Sequence, residues 1–476
     1  MKSNAADYNN FSKGIDLRKS ATVSEANRLR FLENCYVTDG GAIRKREGLK
    51  RYASLGENTS GILQFQGSPS TVSFGAENTN VSSFEEVPNK VFTFVDEEGF
   101  PLSGLTDYVV EYSDTFKGQL FVICSAQSDE GEIVKCFYNG VQVQDTLCPN
   151  TKSAVKLAGR LYMINGDVVS YCAVDNPLDW TSTNDAGFLP TGLQTSGENI
   201  ATAVDEYEGF LAVFMPDAIQ LWVVDQDPSL SAFQKTVQNI GTRYHKSIAK
   251  YSTDLLFLSE FGFRSVGRQA YTDSIEDNDV GSPIDKLVRE ELKTADPTKI
   301  KSVYYPKGSQ YLCFLGTKIF VFRFSRSAKI NAWSVYSFEG REGSFDDIVV
   351  ANGDLFLWKD GNMFVLDDET YVDDGVEFEV NVEMSFLSQK TQGVGKRYMG
   401  FDLVQEGKCS VSFSFDSLDE TNKSVPFEVV GNTRPRGRMG LSAVSTEIAP
   451  IFSNTSAQPW QLDGIVLYYT KLGIHV

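Results

Sequence analysis

The chain has 476 residues, 41% hydrophobic and 22% charged, with a formal net charge of −19. That length allows two to four domains and a core that needs no staples. The acidic balance argues against ordinary nucleic-acid binding, which needs Lys and Arg to displace counterions. No apolar run approaches the roughly 20 residues of a membrane span, so no membrane insertion is expected. The opening MKSNAADYNNFSKG has no apolar segment of the secretory kind, which points to a product made in the cytoplasm. Seven cysteines without a CxxC pair, mostly inside runs such as LFVIC and YLCFL, read as reduced core thiols.

Charge is unevenly spread. Residues 1–51 hold eleven Lys/Arg and six Asp/Glu, net +5, while the other 425 carry 33 basic and 57 acidic residues, net −24. SEANRLRFLEN (Ser24 to Asn34) has the spacing of a short helix. After it, ENCYVTDGGAIRKREGLKR (Glu33 to Arg51) reads as a hairpin around Asp39-Gly40-Gly41, with Arg44, Lys45, Arg46, Lys50 and Arg51 crowded into its second arm. Residues 1–51 are thus an arm, a helix and a basic hairpin. Segment 52–110 is rich in Ser, Asn and Gly; it is either the first unit of the array that follows or an inserted module.

Between 111 and 375 the chain repeats. Apolar runs begin at Leu120, Leu161, Phe210, Leu255, Tyr311 and Leu355, in steps of 41, 49, 45, 56 and 44 residues. Partner strands such as AIQLWVVD, KIFVFRF and GNMFVLDD follow several of them. A period of about 40–50 residues with several strands per unit predicts a β-propeller of about six blades, within a range of five to seven. Hairpins of a sandwich would come at about 8–12-residue spacing without the longer period. The long fifth step holds the clearest helix, SPIDKLVREELKTADP, with Ser282 placed to cap and Pro283 at the first helical position. From 376 to 476 the rhythm changes to alternating strands between polar turns, as in VEFEVNVEMSF and CSVSFSFD. That predicts an antiparallel, sandwich-like C-terminal module in a mainly β protein with few helices.

Chemistry is sparse. Only His245 and His475 are present, and there is no HExxH, GxSxG or GxxxxGK[ST], so no metal site or cofactor is expected. The acidic stretch DDETYVDDGVEFEVNVE holds eight acids and no base. Asp367, Asp368, Asp373 and Asp374 could supply a glycosidase-like carboxylate pair, an acidic lumen or an interface. The simplest alternative is a turn and then a strand whose acids Glu377, Glu379 and Glu383 face water; the spacing does not fit a calcium loop. NTRPRGRMG places Arg434, Arg436 and Arg438 in a Pro/Gly turn, either a solvated loop or a basic tip. WD-type, kelch-type and sialidase-type signatures are missing.

ENCYVTDGGAIRKREG resembles the N-terminal signature of tail hub or nozzle proteins of short-tailed bacteriophages: a short helix, an Asn, a strand, a Gly turn and an Arg-rich strand ending in Gly. DNPLDW (175–180), DAIQLWVVDQD (217–227), VQNIGTRYHKSIAKYSTDLLFLSEFGFRSV (237–266), SPIDKLVREEL and NGDLFLWKDGNMFVLDDETYVDDGVEFE (352–379) are similar to later parts of that pattern, in order. The resemblance covers about residues 24–380. It implies a structural virion protein without turnover, in a hexameric ring of a virion tail below adaptor and portal proteins. Such a ring retains packaged double-stranded DNA, lets it pass without specific binding on ejection, and carries tail fibres or tailspikes. On that reading Arg44, Lys45, Arg46, Lys50 and Arg51 dock on the adaptor. The competing readings are a propeller glycosidase acting on surface polysaccharide and a protein-binding propeller scaffold.

Overall fold

The computed structural model describes residues 4–55, 59–74, 82–83, 90–94, 104–195, 197–267, 279–338, 345–419, 421–434 and 437–473. Seven small antiparallel-based sheets are arranged as the blades of a β-propeller. Their first strands are Thr59–Phe65, Thr106–Phe116, Ala154–Leu157, Ala203–Tyr207, Ala249–Tyr251, Lys301–Tyr305 and Asp347–Ala351. Residues from all seven first strands, or from just before them, line one central cavity of about 520 Å³. The blade count is therefore the upper end of the range expected from periodicity. Segment 52–110 supplies blade 1, through Thr59–Phe65, Ser68–Phe74 and Lys90–Phe94, and its last strand pairs in parallel.

The repeating apolar runs are the second strand of each blade, and the reason is geometric. Successive side chains of a strand point to opposite faces, and a blade packs a neighbour on both faces. In blade 2, Leu120, Val122 and Cys124 join the core shared with blade 1, while Phe121 and Ile123 join the core shared with blade 3. In blade 3, Leu161 and Met163 face blade 2, whereas Tyr162 and Ile164 face blade 4. Further clusters fill the interfaces between blades 4 and 5, 6 and 7, and 7 and 1. The seal between blades 7 and 1 includes Ala53 and Met363 from one side and Ile62 from the other.

The first 51 residues do not form a separate arm. Leu29–Glu33 is a strand, not the expected helix; it runs parallel to Ile330–Tyr336 of blade 6 and antiparallel to Val380–Met384. It thereby fuses blade 6 with one sheet of the C-terminal module into a nine-stranded sheet. Asn4–Tyr8 pairs with the long strand Gln461–Gly473, and the hairpin Cys35–Val37/Ile43–Lys45 adds to the same second sheet. Gly48–Ser54 then crosses to blade 7 as its fourth strand, on Asn362–Asp367. Tyr398, Phe401 and Leu467 of one sheet pack on Val411, Phe413 and Phe452 of the other, the expected sandwich.

The helix spans Asp285–Leu292, shorter than the sequence pattern suggested. Ile284 stands at its N-cap, and the Ser282 hydroxyl instead donates to the Asp279 carbonyl. Val288 on the helix is buried in a core that includes residues of blades 5 and 6. All seven cysteines are free and six are buried. No helix among the described residues is long and apolar enough to cross a membrane.

Candidate functional site

The basic hairpin and the acidic stretch, separate features in the sequence, meet in the fold. Arg46 is fully buried and paired with Asp373, itself 1% exposed, across 327 residues of chain. Its guanidinium uses every N–H. Two bonds reach the Asp373 carboxylate at 2.9 and 2.6 Å, one the Asn34 Oδ1 at 2.9 Å, one the Ser337 carbonyl at 2.9 Å and one the Glu47 carbonyl at 3.0 Å. The plane lies between Phe378 and Phe338, 3.8 and 4.3 Å from the two ring centres. A buried charge is tolerated under such conditions, with an opposite charge and all donors satisfied.

Asn34 completes the joint. Its amide donates to the Ser337 hydroxyl and the Glu379 carbonyl and accepts from Arg46 and the Ser337 N–H. Its φ of 54° lies in the left-handed region that Asn tolerates better than most residues. Gly48 passes so close to another segment that a Cβ there would lie 2.1 Å from the Val372 carbonyl oxygen. The Asn, the Arg-rich strand and the terminal Gly of the opening signature thus each have an architectural role at one seam.

This corrects the expectation for two of the five docking residues. Lys45 and Arg46 are wholly buried and cannot reach a neighbour. Lys45 donates to the Asn454 side chain at 3.2 Å and to the Ser456 carbonyl at 2.6 Å. Burial, reinforced by the Arg46 charge, pushes its ammonium down to about 8. Arg44 is half-buried and donates to the Tyr371 hydroxyl at 3.3 Å. Arg51 is paired with Asp374 at 2.7 Å, and Lys50 is exposed on the same strand.

Of the acidic group, Asp373 and Asp374 are therefore internal partners of the hairpin and not a free lumen surface. Asp368 pairs with Lys307 at 3.3 Å, and Asp367 accepts from the Glu369 N–H. Glu377 and Glu379 are exposed on either side of buried Phe378, as expected, but they precede the strand Val380–Met384, in which Glu383 is half-buried and lies 3.7 Å from Arg30. In the tip loop Arg434 pairs with Asp402 at 2.6 Å, and Arg438 lies over the Tyr468 ring at 5.2 Å. Arg436 lies outside the described residues, as does His475.

The propeller's central cavity is a second locus, which the sequence reading missed. Glu111 of blade 2 is 5% exposed and sits at its hub. It accepts from His245 at 3.0 Å, Lys246 at 2.7 Å and the Ser125 hydroxyl, with Lys152 3.7 Å away. Burial alone would raise the carboxyl, but the His245 bond and the Lys246 charge and bond outweigh it and hold it well below the usual carboxylate range. Lys156 pairs with Asp114, Lys250 with Glu206, and Lys301 with Asp347, whose second oxygen accepts from the Ile62 N–H of blade 1. Charges thus tie blades 2 to 3 and 5, 4 to 5, and 6 to 7 and 1. Asp205 is the exception: it takes a hydrogen bond from the Glu206 N–H, and burial raises it to about 6. None of Asp367, Asp368, Asp373 or Asp374 lines this cavity. The signal that could have found Glu111 and Asp205 is the weaker strand preceding each apolar run, YVVEYSD and AVDEYEG.

Among the described residues no group of three or more His, Cys, Asp or Glu side chains is placed to hold a metal ion. No family model and no curated protein matches the chain. Similar solved structures include the extracellular domain of a hybrid two-component system from B. thetaiotaomicron, at 11% identity and TM-score 0.42 over 75% of this chain and 43% of that one. The WD40 domain of Neurospora crassa Pan2 aligns at 9% identity and TM-score 0.34 over 54% of this chain and 88% of its own. An exo-β-1,3-galactanase from Phanerochaete chrysosporium aligns at 9% identity and TM-score 0.26 over 79% of this chain and 98% of its own. None of the three is a phage tail protein, and likeness at this level says nothing about activity.

Proposed function

We propose that the chain is a structural subunit of a short phage tail, one copy of a ring through which packaged DNA is retained and then released. The observation that carries this reading is the seam: the residues by which the sequence resembles tail hub and nozzle proteins, Asn34, Arg46 and Gly48, are those that fasten propeller to sandwich. A subunit that withstands the pressure of packaged DNA needs its parts joined as one body, and a sheet shared by blade 6 and the sandwich does that.

The cavity chemistry supports a structural role over the propeller-hydrolase alternative. Of the carboxyls lining the cavity, Glu111, Asp114 and Glu206 are each matched by a lysine that ties two blades, which leaves Asp205 alone without an ion pair among the described residues. A glycosidase needs two carboxyls free to face a sugar from opposite sides. The docking role once expected of the basic hairpin is not part of this proposal. The test is direct. Antibody raised against the purified chain should label the tail end of intact virions, and native mass measurement of the chain with its adaptor ring should give a six-fold assembly. Virions left unlabelled, or a chain that stays solitary with the adaptor present, overturn the reading.

A further inference from the structure

With Lys45 and Arg46 buried at the seam, further open positive charge lies elsewhere. Leu17, Arg18, Lys19, Arg28, Pro283, Lys286 and Arg289 surround a concavity of about 550 Å³, between the N-terminal strands and the start of the helix Asp285–Leu292. With Ser282 and Asp285 the lining comes to nine residues, five of them positive and one negative, in a protein of net charge −19. Arg18 and Arg28 share the buried carboxylate of Asp16, both at 2.7 Å. Glu25 is shared by Lys19 at 3.1 Å and Arg28 at 3.3 Å. Asp285, the lining acid, is turned to Arg264 at 2.9 Å.

Lys286 and Arg289 are exposed on the helix and make no ion pair among the described residues. No side chain caps the N-terminus of the helix, whose first N–H groups and dipole favour an anion at this end. Leu17 and Pro283 give the pocket an apolar wall as well, their backbones joined at 2.8 Å.

We propose that this concavity is a docking pocket for a carboxylate-rich segment of a protein partner. A nucleic-acid duplex carries its charge along its whole length and would meet the acidic body on every side. A short acidic segment presents its charge to the pocket alone, and Leu17 and Pro283 suit its aliphatic stems. The inference stands whether or not the chain belongs to a tail.

The experiment uses the full chain and a fluorescein-labelled hexa-aspartate peptide, followed by anisotropy at low salt, with hexa-asparagine as the neutral counterpart. The aspartate peptide should bind and the asparagine peptide should not. K286E/R289E, both exposed and outside the core, should weaken binding by roughly tenfold or more. R326E/K423E makes the same charge change on exposed positions outside the pocket lining and should leave binding within about twofold. Equal weakening by both double variants would show only a general field. A DNA duplex that binds more tightly than the peptide, and is lost in K286E/R289E, would assign the pocket to nucleic acid. Either result overturns the proposal.

Discussion

Replacing Arg46 by Met tests the seam most sharply. Methionine keeps the apolar stem between Phe338 and Phe378 but removes five hydrogen bonds at once, two of them to Asp373. Asp373, 1% exposed, then keeps only the Leu49 N–H at 3.1 Å among the bonds described at its side chain. Removing one partner of a buried pair costs about 3–5 kcal/mol, because the other charge stays desolvated and uncompensated. The Ser337 and Glu47 carbonyls and the Asn34 oxygen each lose a donor, which places R46M toward the upper end of that range. Asp373→Asn in the R46M background removes the stranded charge and should restore at least about 2 kcal/mol, a coupling that a plain packing defect does not produce. Urea unfolding followed by circular dichroism gives the stability change. Hydrogen exchange should localise it to Gly48–Ser54 and Asn362–Asp367, the strands this bolt holds together. If R46M costs less than about 1 kcal/mol, or D373N makes it worse, the seam does not rest on this ion pair.

Two further expectations follow from the same geometry. Asp205→Asn should stabilise the protein at pH 8: the folded-state carboxyl is raised from 3.8 to about 6, so its ionised form is penalised by up to about 3 kcal/mol. The folded state binds the proton more readily, so this gain fades as pH falls from 6 toward 4, and thermal melts of both forms across that window should converge. Gly48→Ala should cost about 2 kcal/mol or more, since its Cβ would meet the Val372 backbone at 2.1 Å. Denaturant midpoints that match the parent protein would contradict that close approach.

Much of the propeller was legible because a strand buried on both faces is apolar at every position. Blade 1 was less legible, for its second strand SPSTVSF buries Ser70, Thr71 and Ser73 instead of large side chains. The helix expected over 24–34 failed for a local reason. Leu29 and Leu32 stand three apart and are both wholly buried, as on a helix face, but the strand is bulged between Leu29 and Phe31. The bulge shifts the alternation by one and turns both leucines inward. At the helix Asp285–Leu292, Pro283 was placed inside the first turn by its residue type, yet its carbonyl accepts from the Leu17 N–H and the helix begins after it. The seam was illegible in a different sense. Both charge clusters were visible, but nothing in spacing pairs position 46 with position 373, and two complementary clusters in one chain read equally well as two surfaces for other molecules.

Why a chain of net −19 begins with a basic stretch then has an internal answer. Blade 7 receives its fourth strand from Gly48–Ser54, and that strand pairs with Asn362–Asp367, so the ring cannot close until the chain beyond residue 362 has been made. The two ends of the propeller must find each other across more than 300 residues, a closure whose entropic cost grows slowly with length but whose search is slow. Opposite charge on the two segments shortens that search and fixes the register, because Arg46 meets Asp373 and Arg51 meets Asp374 only when the strands are aligned. Arg46 and Arg51 are then held at the joint. The excess that remains, at Lys286 and Arg289, lies beside the strand that joins propeller to sandwich, where a second acidic chain can still reach it.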